Sequence, residues 1–326
     1  MGGGASKKRK SIADSIAKEA EEIKDHIVAR IPTQDLSDLD KIILIGGGGY
    51  AETSVELYNP DNLEENQLFQ NQLGALGWHG HVAGVMEGKI YIAASSGMFP
   101  ESCSIIDPKT LEMVEGPELN SGHRNPTGIV HDDDNLFIFG GVGSRSVELL
   151  KPDRDKWSSV CDMQDTRFDA AGVSLGDKVY LIGGIVGGRS IDSASRTVET
   201  FTPSNKWQEA PKLPYRRTQM AATVDHNCII ACGGADQDGQ TSTKSWRLDS
   251  RGRRWEQVAN MTEARSNHIL LNFKGTILAF GGKDNDKRSL RTVEEYDSRA
   301  DKWNQATPML LDRSASAAVL ILNHYA

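Results

Sequence analysis

Short apolar runs that end in two small residues recur six times along this chain. Counted from the first small residue of each pair (46, 94, 140, 183, 233 and 281), the runs lie 48, 46, 43, 50 and 48 residues apart. A period of 40 to 50 residues indicates an array of repeats that stack on their neighbours. The runs occupy residues 42–47, 90–95, 136–141, 179–184, 228–234 and 276–282.

Other positions repeat with the same period. A second apolar strand follows each small pair, and in four units it contains Val-Glu, at 55–56, 147–148, 198–199 and 293–294. An arginine stands sixteen residues before the small pair of the next unit, and Arg313 continues this series at the end of the chain. The remaining members are Arg124, Arg167, Arg217 and Arg265, and the tryptophans that end the later units are Trp157, Trp207, Trp255 and Trp303.

Together these features resemble the kelch repeat, and the chain is similar to the propeller of metazoan kelch-like proteins. The resemblance covers residues 41–323 and is strongest in units three to six. Each unit of about 45 residues has room for four strands, and nothing in the period is helical. The expected fold is therefore all-β, a six-bladed kelch β-propeller with a short N-terminal helix.

The chain ends predict how the ring closes. Residues 41–67 supply three strands without an innermost strand, whereas residues 314–322 form an innermost strand with no blade after it. We expect the two ends to share one blade, which removes the open sheet edges. Two-residue turns are predicted between the first two strands of each blade, for example at Gly176-Asp177 and Asp133-Asp134.

The longer loops of every blade are expected on one face of the propeller, where a rigid scaffold presents variable segments for binding. Tyr50 and Phe99 are predicted as exposed aromatic anchors there, and arginines as donors to carboxylates. The resemblance further implies contacts near the channel mouth, one or two residues past the arginine series. The candidate arginines are Arg145, Arg189, Arg196 and Arg288, and the channel-mouth candidates are Asn125, Phe168, Gln219 and Asn267.

The arginine series itself is interpreted as structural, because its position recurs in the repeat register. Each member is expected to bind backbone carbonyls or a glutamate of an adjacent blade, such as Glu148, Glu199 or Glu294. The tryptophans are interpreted as blade packing.

The net charge and the residues capable of chemistry limit the classes of function that the chain can have. The chain has 37 basic and 45 acidic residues, a net charge of −8, which argues against nucleic-acid binding. Four cysteines are interpreted as reduced thiols, and the pair His79 and His81 lacks a third metal ligand fixed by the sequence. No catalytic residue, cofactor or metal is predicted, and the motifs of plant specifier proteins and of copper radical oxidases of this fold are missing.

The N-terminal region contains separate signals. Gly2 lies in an N-myristoylation pattern, and Lys7-Lys8-Arg9-Lys10 would add attraction to anionic lipid. Two alternatives stay open, an engineered linker and a nuclear address. Residues 11–31 show helical periodicity that ends at Pro32. The predicted division is 1–10 acylation and polybasic segment, 11–40 helix and linker, and 41–323 propeller.

The sequence thus predicts a non-catalytic scaffold that binds a partner protein or peptide on the long-loop face. The resemblance suggests substrate recruitment to a cullin ubiquitin ligase, or contact with actin. The residues before 41 are too few for BTB and BACK domains, so ligase assembly would need a partner chain, unless the sequence is a fragment. The alternatives are a kelch-type enzyme such as a sugar mutarotase, and a myristoylated membrane-tethered scaffold. The expected location is cytoplasmic, with membrane association open and the nucleus less favoured.

Overall fold

Strand pairing divides the chain into six antiparallel four-stranded sheets, the blades of a propeller. The computed structural model describes residues 40–321 apart from 49–50, 52, 61, 71–78, 98, 133, 153, 203 and 205. Gly2, the predicted helix at 11–31, and Tyr50 lie outside the described residues and stay predictions.

The first three blades contain strands β1 to β11. Blade 1 begins with β1 (Lys41–Ile45), β2 (Val55–Tyr58) and β3 (Gln67–Phe69). Blade 2 consists of β4 (Val82–Met86), β5 (Lys89–Ala93), β6 (Cys103–Ile106) and β7 (Met113–Glu115). Blade 3 consists of β8 (Thr127–His131), β9 (Asn135–Phe139), β10 (Val147–Leu150) and β11 (Ser158–Ser159).

The remaining strands build blades 4 to 6 and return to blade 1. A short ribbon of β12 (Arg167–Phe168) and β15 (Ile185–Val186) accompanies blade 4, which contains β13 (Ala171–Leu175), β14 (Lys178–Ile182), β16 (Val198–Thr202) and β17 (Lys206–Ala210). Blade 5 consists of β18 (Thr218–Asp225), β19 (Cys228–Ala235), β20 (Ser245–Asp249) and β21 (Glu256–Val258). Blade 6 consists of β22 (Ile269–Phe273), β23 (Thr276–Phe280), β24 (Val293–Asp297) and β25 (Lys302–Ala306), and β26 is Ala317–Ile321. Single 3₁₀ turns occur at Leu63–Glu65 and Ile191–Ser193.

The last strand completes the first blade, as predicted. β26 pairs antiparallel with β1, from Lys41 opposite Ile321 to Ile45 opposite Ala317, and the blade runs in the order β26-β1-β2-β3. Pairing the two ends of the described chain leaves no blade with an open innermost position, so the ring is closed by backbone hydrogen bonds.

The core lies between the blades. Strands β1, β9, β14 and β23 are each the second strand of their blade, and in each of them four of the five residues are buried. These strands have neighbouring sheets against both faces, which explains why their sequences are continuous apolar runs and do not alternate with polar residues. The repeated tryptophan packs in the same core: Trp303 lies opposite Tyr296, and its indole N–H donates to Ala259 O at 3.0 Å.

One predicted turn is wrong by a residue. In blade 3, His131 pairs with Asn135, so the turn spans residues 132–134, and Asp132 has a left-handed φ of 51°. The predicted turn at Asp133-Asp134 counted only two residues, as Gly176-Asp177 does in blade 4, where Leu175 pairs with Lys178. This additional residue shifts the positions around it in blade 3. Within the described ranges, no helix is long and apolar enough to span a lipid bilayer.

Candidate functional site

A ring of six residues surrounds the mouth of the central channel, and five backbone hydrogen bonds link its members. One residue of each blade-to-blade connection has a left-handed φ between 51° and 59°, and the N–H of one such residue donates to the carbonyl of the next. The left-handed residues are Gly80, Asn125, Asp169, Gln219, Asn267 and Ala315. The bonds run from Gly80 N to Ala315 O (2.8 Å), Ala315 N to Asn267 O (2.9 Å), Asn267 N to Gln219 O (2.8 Å), Gln219 N to Asp169 O (2.9 Å) and Asp169 N to Asn125 O (3.1 Å).

The ring frames a polar cavity of about 470 Å³, which we call the channel mouth. It is lined by ring residues and by Ser96 and Lys283, which lie just after small pairs, so loops of two kinds meet on one face. At position 80 a Cβ would lie 2.4 Å from Asn125 Oδ1, so the glycine leaves room for that side chain. The fixed backbone therefore holds its polar side chains in a preset arrangement.

Asp169 is the acidic group of the channel mouth. Gln219 Nε2 donates to Asp169 Oδ2 at 3.1 Å, and the Asn125 side chain also hydrogen-bonds the carboxylate. Burial raises the pKa of Asp169, and these two hydrogen bonds oppose the increase only in part. Asn125 Oδ1 is buried without a protein partner, so the mouth contains acceptor capacity that water or a ligand can use.

Three histidines line the same cavity. Burial lowers the pKa values of His81 and His268 to about 3, so both are neutral at pH 7. Cys232 Sγ lies 3.4 Å from His268 Nε2, yet burial raises the pKa of this thiol and disfavours a thiolate. His79 is the third lining histidine, and its Nδ1 is buried without a hydrogen-bond partner. Over the described ranges, no three His, Cys, Asp or Glu side chains group as metal ligands.

Most of the arginine series is structural, as interpreted from the repeat register. Arg265 is fully buried, and its guanidinium binds Glu294 at 2.8 Å and Gly281 O at 2.8 Å. Arg313 makes the equivalent contacts with Glu56 at 3.2 Å and Gly46 O at 2.9 Å. Arg167 pairs with Glu199 at 3.1 Å in the same way.

In blade 3 the residue that takes this role is a histidine. His123 is fully buried; its Nε2 lies 2.9 Å from Glu148 Oε1, and its Nδ1 contacts Gly140 O. Arg124, which the sixteen-residue spacing selected, is exposed. The three-residue turn at 132–134 explains the shift, because one additional residue between the two strands moves the structural position from 124 to 123.

Three of the four predicted channel-mouth residues come together: Asn125, Gln219 and Asn267 all line the cavity. Phe168 does not, since it is 5% exposed and pairs with Ile185 in the β12–β15 ribbon. Its neighbour Asp169 occupies the equivalent place, and sequence reasoning missed it. A uniform rule would have found it: five of the six ring residues lie two positions after the structural arginine or histidine.

The other predicted contacts lie in the longer loops, and we call the surface formed by Phe99, Arg145, Arg189, Arg196 and Arg288 the rim. Phe99 is 46% exposed. Arg189 and Arg196 are exposed and form no ion pair with any described residue. By contrast, Arg145 pairs with Asp162 at 3.2 Å and Arg288 with Asp284 at 3.0 Å, so both already have an acidic partner. None of these placements tests whether a partner binds.

Comparison with known proteins agrees with the repeat structure. The Kelch motif matches residues 166–214, 216–262 and 264–310, and each match begins within a residue of Arg167, Arg217 or Arg265. With six four-stranded blades in a closed ring, the chain is a kelch-repeat β-propeller.

Several curated proteins are similar to the chain. Beta-scruin of Limulus polyphemus is 29% identical over 193 residues, 52% of this chain and 20% of that protein. Spermatocyte protein spe-26 of Caenorhabditis elegans is 23% identical over 253 residues, 72% of this chain and 43% of the relative. Kelch-like protein 23 of Homo sapiens is 24% identical over 237 residues, 68% and 40% of the two chains. The chain thus spans less than half the length of these curated relatives. The kelch-repeat homologues among them, scruin and the Kelch-like protein, fit a protein-interaction scaffold or adaptor.

Proposed function

We propose that this propeller is a non-catalytic interaction module that binds an extended segment of a partner protein across the channel mouth and its rim. The observation that carries the proposal is the ring of left-handed residues. It places Asn125, Asp169, Gln219 and Asn267 around one cavity, on the face where the long loops end. A rigid polar depression with variable loops around it suits recognition of a peptide segment.

The chemistry of the mouth favours binding over catalysis. Gln219 and Asn267 offer amide donors and acceptors, and Asn125 Oδ1 has no protein donor. Such groups can bind the backbone of an extended peptide, whose amides present both donors and acceptors. Because their pKa values are about 3, His81 and His268 are weak general bases at pH 7, which places the sugar mutarotase reading second.

Exposed cations on the rim extend the surface. Arg189 and Arg196 lie in the loop between β14 and β16 without an ion pair to a described residue. Forked guanidinium donors bind carboxylates in two-point geometry, so an acidic segment would gain affinity there. Arg288 contributes less, because Asp284 and Asp286 already bind its guanidinium.

Affinity capture with matched variants tests the proposal. The double variant Gln219→Ala/Asn267→Ala removes two mouth amides, and Asn227→Ala changes an exposed amide in a hairpin turn at the other end of β18. We expect the mouth variant to lose the proteins that wild type and Asn227→Ala both retain, measured by quantitative mass spectrometry. Equal recovery by all three proteins would refute the assignment of the face, provided that their thermal unfolding agrees.

For the cellular role, we propose an adaptor that brings a bound protein to a cullin ubiquitin ligase or to actin filaments. Support comes from the names of relatives, among them Kelch repeat and BTB domain-containing protein 1 of vaccinia virus, 27% identical over 124 residues. Cullin recovered with the bound protein would favour the first role, and co-sedimentation with filaments the second. If neither result is obtained, partner binding alone stays as the proposed activity.

A further inference from the structure

Blade 5 lacks the internal partners of its structural arginine. In blades 1, 4 and 6, a glutamate on the third strand pairs with the residue that lies two positions before the first glycine of the small pair. In blade 6, for example, Glu294 pairs with Ala279. Trp246 holds this position in blade 5, where it pairs with Ala231. Arg247, the next residue along the strand, pairs with Ile230.

Two further partners are missing at the same place. The residue whose carbonyl accepts from the first glycine is Thr197, Thr292 or Ser54 in the sister blades, and these hydroxyls bind the arginine. In blade 5 this residue is Lys244, which has no hydroxyl. A backbone donor is also missing. In blade 1 the N–H of Leu310 donates to Glu56, but the equivalent residue in blade 5 is Pro214, which has no N–H.

Arg217 therefore has a donor edge without a hydrogen-bond partner among the described residues. Its Nη1 donates to Arg216 O at 3.0 Å and lies 3.9 Å from Asp236 Oδ2, too far for a hydrogen bond. Nε is buried without a partner, and no described residue accepts from Nη2. In Arg313, Nε and Nη2 both bind one carboxylate oxygen of Glu56, at 3.3 and 3.2 Å. The chain itself thus shows what this edge binds when an acid is present.

The surroundings of Arg217 suit an incoming acid. The Arg217 side chain is 10% exposed, compared with 0–2% for its paired sisters. Tyr215 is 52% exposed beside it, and Lys244 Nζ lies 4.5 Å from the centre of the Tyr215 ring. Burial lowers the pKa of Arg217, and Asp236 opposes this only in part. A buried cation that no carboxylate hydrogen-bonds is unfavourable, and a bound carboxylate would stabilise it.

From this geometry we infer that blade 5 contains a carboxylate-binding socket, in which the unpaired Nε–Nη2 edge of Arg217 takes a glutamate or aspartate side chain of the partner. Lys244 and the exposed Arg216 add positive charge at the socket. The inference deepens the proposed function, since it names one acidic residue of the bound segment and a second contact outside the channel mouth.

Side-chain NMR of arginine Nε–Hε groups in the full chain tests the socket directly. The probe is glutamate blocked as N-acetyl and amide, compared with blocked glutamine and with inorganic phosphate. Arg217→Lys identifies the Arg217 resonance and should abolish the response. We expect a saturable shift of this resonance with blocked glutamate and none with blocked glutamine. Absence of that shift, or a response to phosphate alone, would overturn the inference.

A second pair of variants leaves Arg217 in place. Asp236→Asn removes the nearby charge but keeps Oδ1, which accepts from Asp238 N and Gln240 N at 3.0 Å each. We expect it to tighten binding of blocked glutamate several-fold, whereas Asp238→Asn, the same charge change on the exposed loop, should alter it less than twofold. Equal effects of both variants would contradict a local socket. This assay is independent of partner capture, so a negative result here with capture intact rejects the socket alone.

Discussion

The buried ion pair of Arg313 and Glu56 stabilises the closed ring, and replacing Glu56 should lower the free energy of unfolding. Glu56 is fully buried and Arg313 is 1% exposed, and the two residues are 257 positions apart in sequence. Arg313 follows blade 6, while Glu56 lies on β2, so their contact reinforces the pairing of β26 with β1. Glu56→Gln keeps an oxygen for Leu310 N, whose bond to Glu56 Oε1 is 2.7 Å, but leaves the guanidinium without an anion.

The expected loss follows from burial. Removing one partner of a buried ion pair costs about 3–5 kcal/mol, because the other charge stays uncompensated. Gly46 O and Ser54 Oγ still bind the guanidinium, at 2.9 and 3.0 Å, so we expect the lower end, about 3 kcal/mol. The free energy of unfolding from urea titration, followed by tryptophan fluorescence, measures it.

A control and a cycle make this prediction specific. Glu112→Gln makes the same chemical change at an exposed site and should alter the free energy of unfolding by less than about 0.5 kcal/mol. The double variant Glu56→Gln/Arg313→Gln should lose at least about 1 kcal/mol less than the sum of the single losses. A loss below about 1 kcal/mol for Glu56→Gln, or additive losses, would refute the idea that this pair stabilises the ring.

Three further predictions concern pH, ring closure and the N-terminus. Burial alone would raise the pKa of Glu148, but hydrogen bonds from His123, Asn120 and Ser121 lower it to about 2 from about 4.5. Stability on the order of 3 kcal/mol is thus present above pH 4.5 and lost as pH falls towards 2, and Glu148→Gln should flatten this profile. Deleting residues 317–326 removes β26 and should abolish cooperative thermal unfolding, whereas an unchanged transition would argue against closure by that strand. Gly2→Ala should release the protein from membranes to the soluble fraction if Gly2 is acylated, and an unchanged distribution would reject acylation.

The fold could be predicted from the sequence because every blade must solve the same packing problem. The spacing of the small pairs and the continuous apolar runs before them identify strands buried on both faces. The shared blade followed from counting strands at each end, and the pairing of β26 with β1 confirms it. The position of each single residue within its blade was harder to predict than the strands themselves. One additional residue in the turn at 132–134 moved the structural position from Arg124 to His123, which a fixed spacing cannot detect.

The candidate site was harder to predict for a related reason. Ring residues are defined by backbone conformation, and Asn125, Asp169 and Gln219 share a left-handed φ but no residue type. The choice of positions one or two residues past the arginine series therefore found Asn125 and Gln219 but selected Phe168 and missed Asp169. The unpaired edge of Arg217 was also invisible, because only the strand pairing places Trp246 at the glutamate position.

Photo-crosslinking tests most directly whether one face of the propeller binds a protein segment. p-Benzoylphenylalanine would replace Phe99 or Arg196 on the rim, and His226 or Lys274 in hairpin turns at the opposite ends of the innermost strands. The account predicts that the rim positions capture a partner in cells and the turn positions do not. Capture from the turns, with none from the rim, would contradict it.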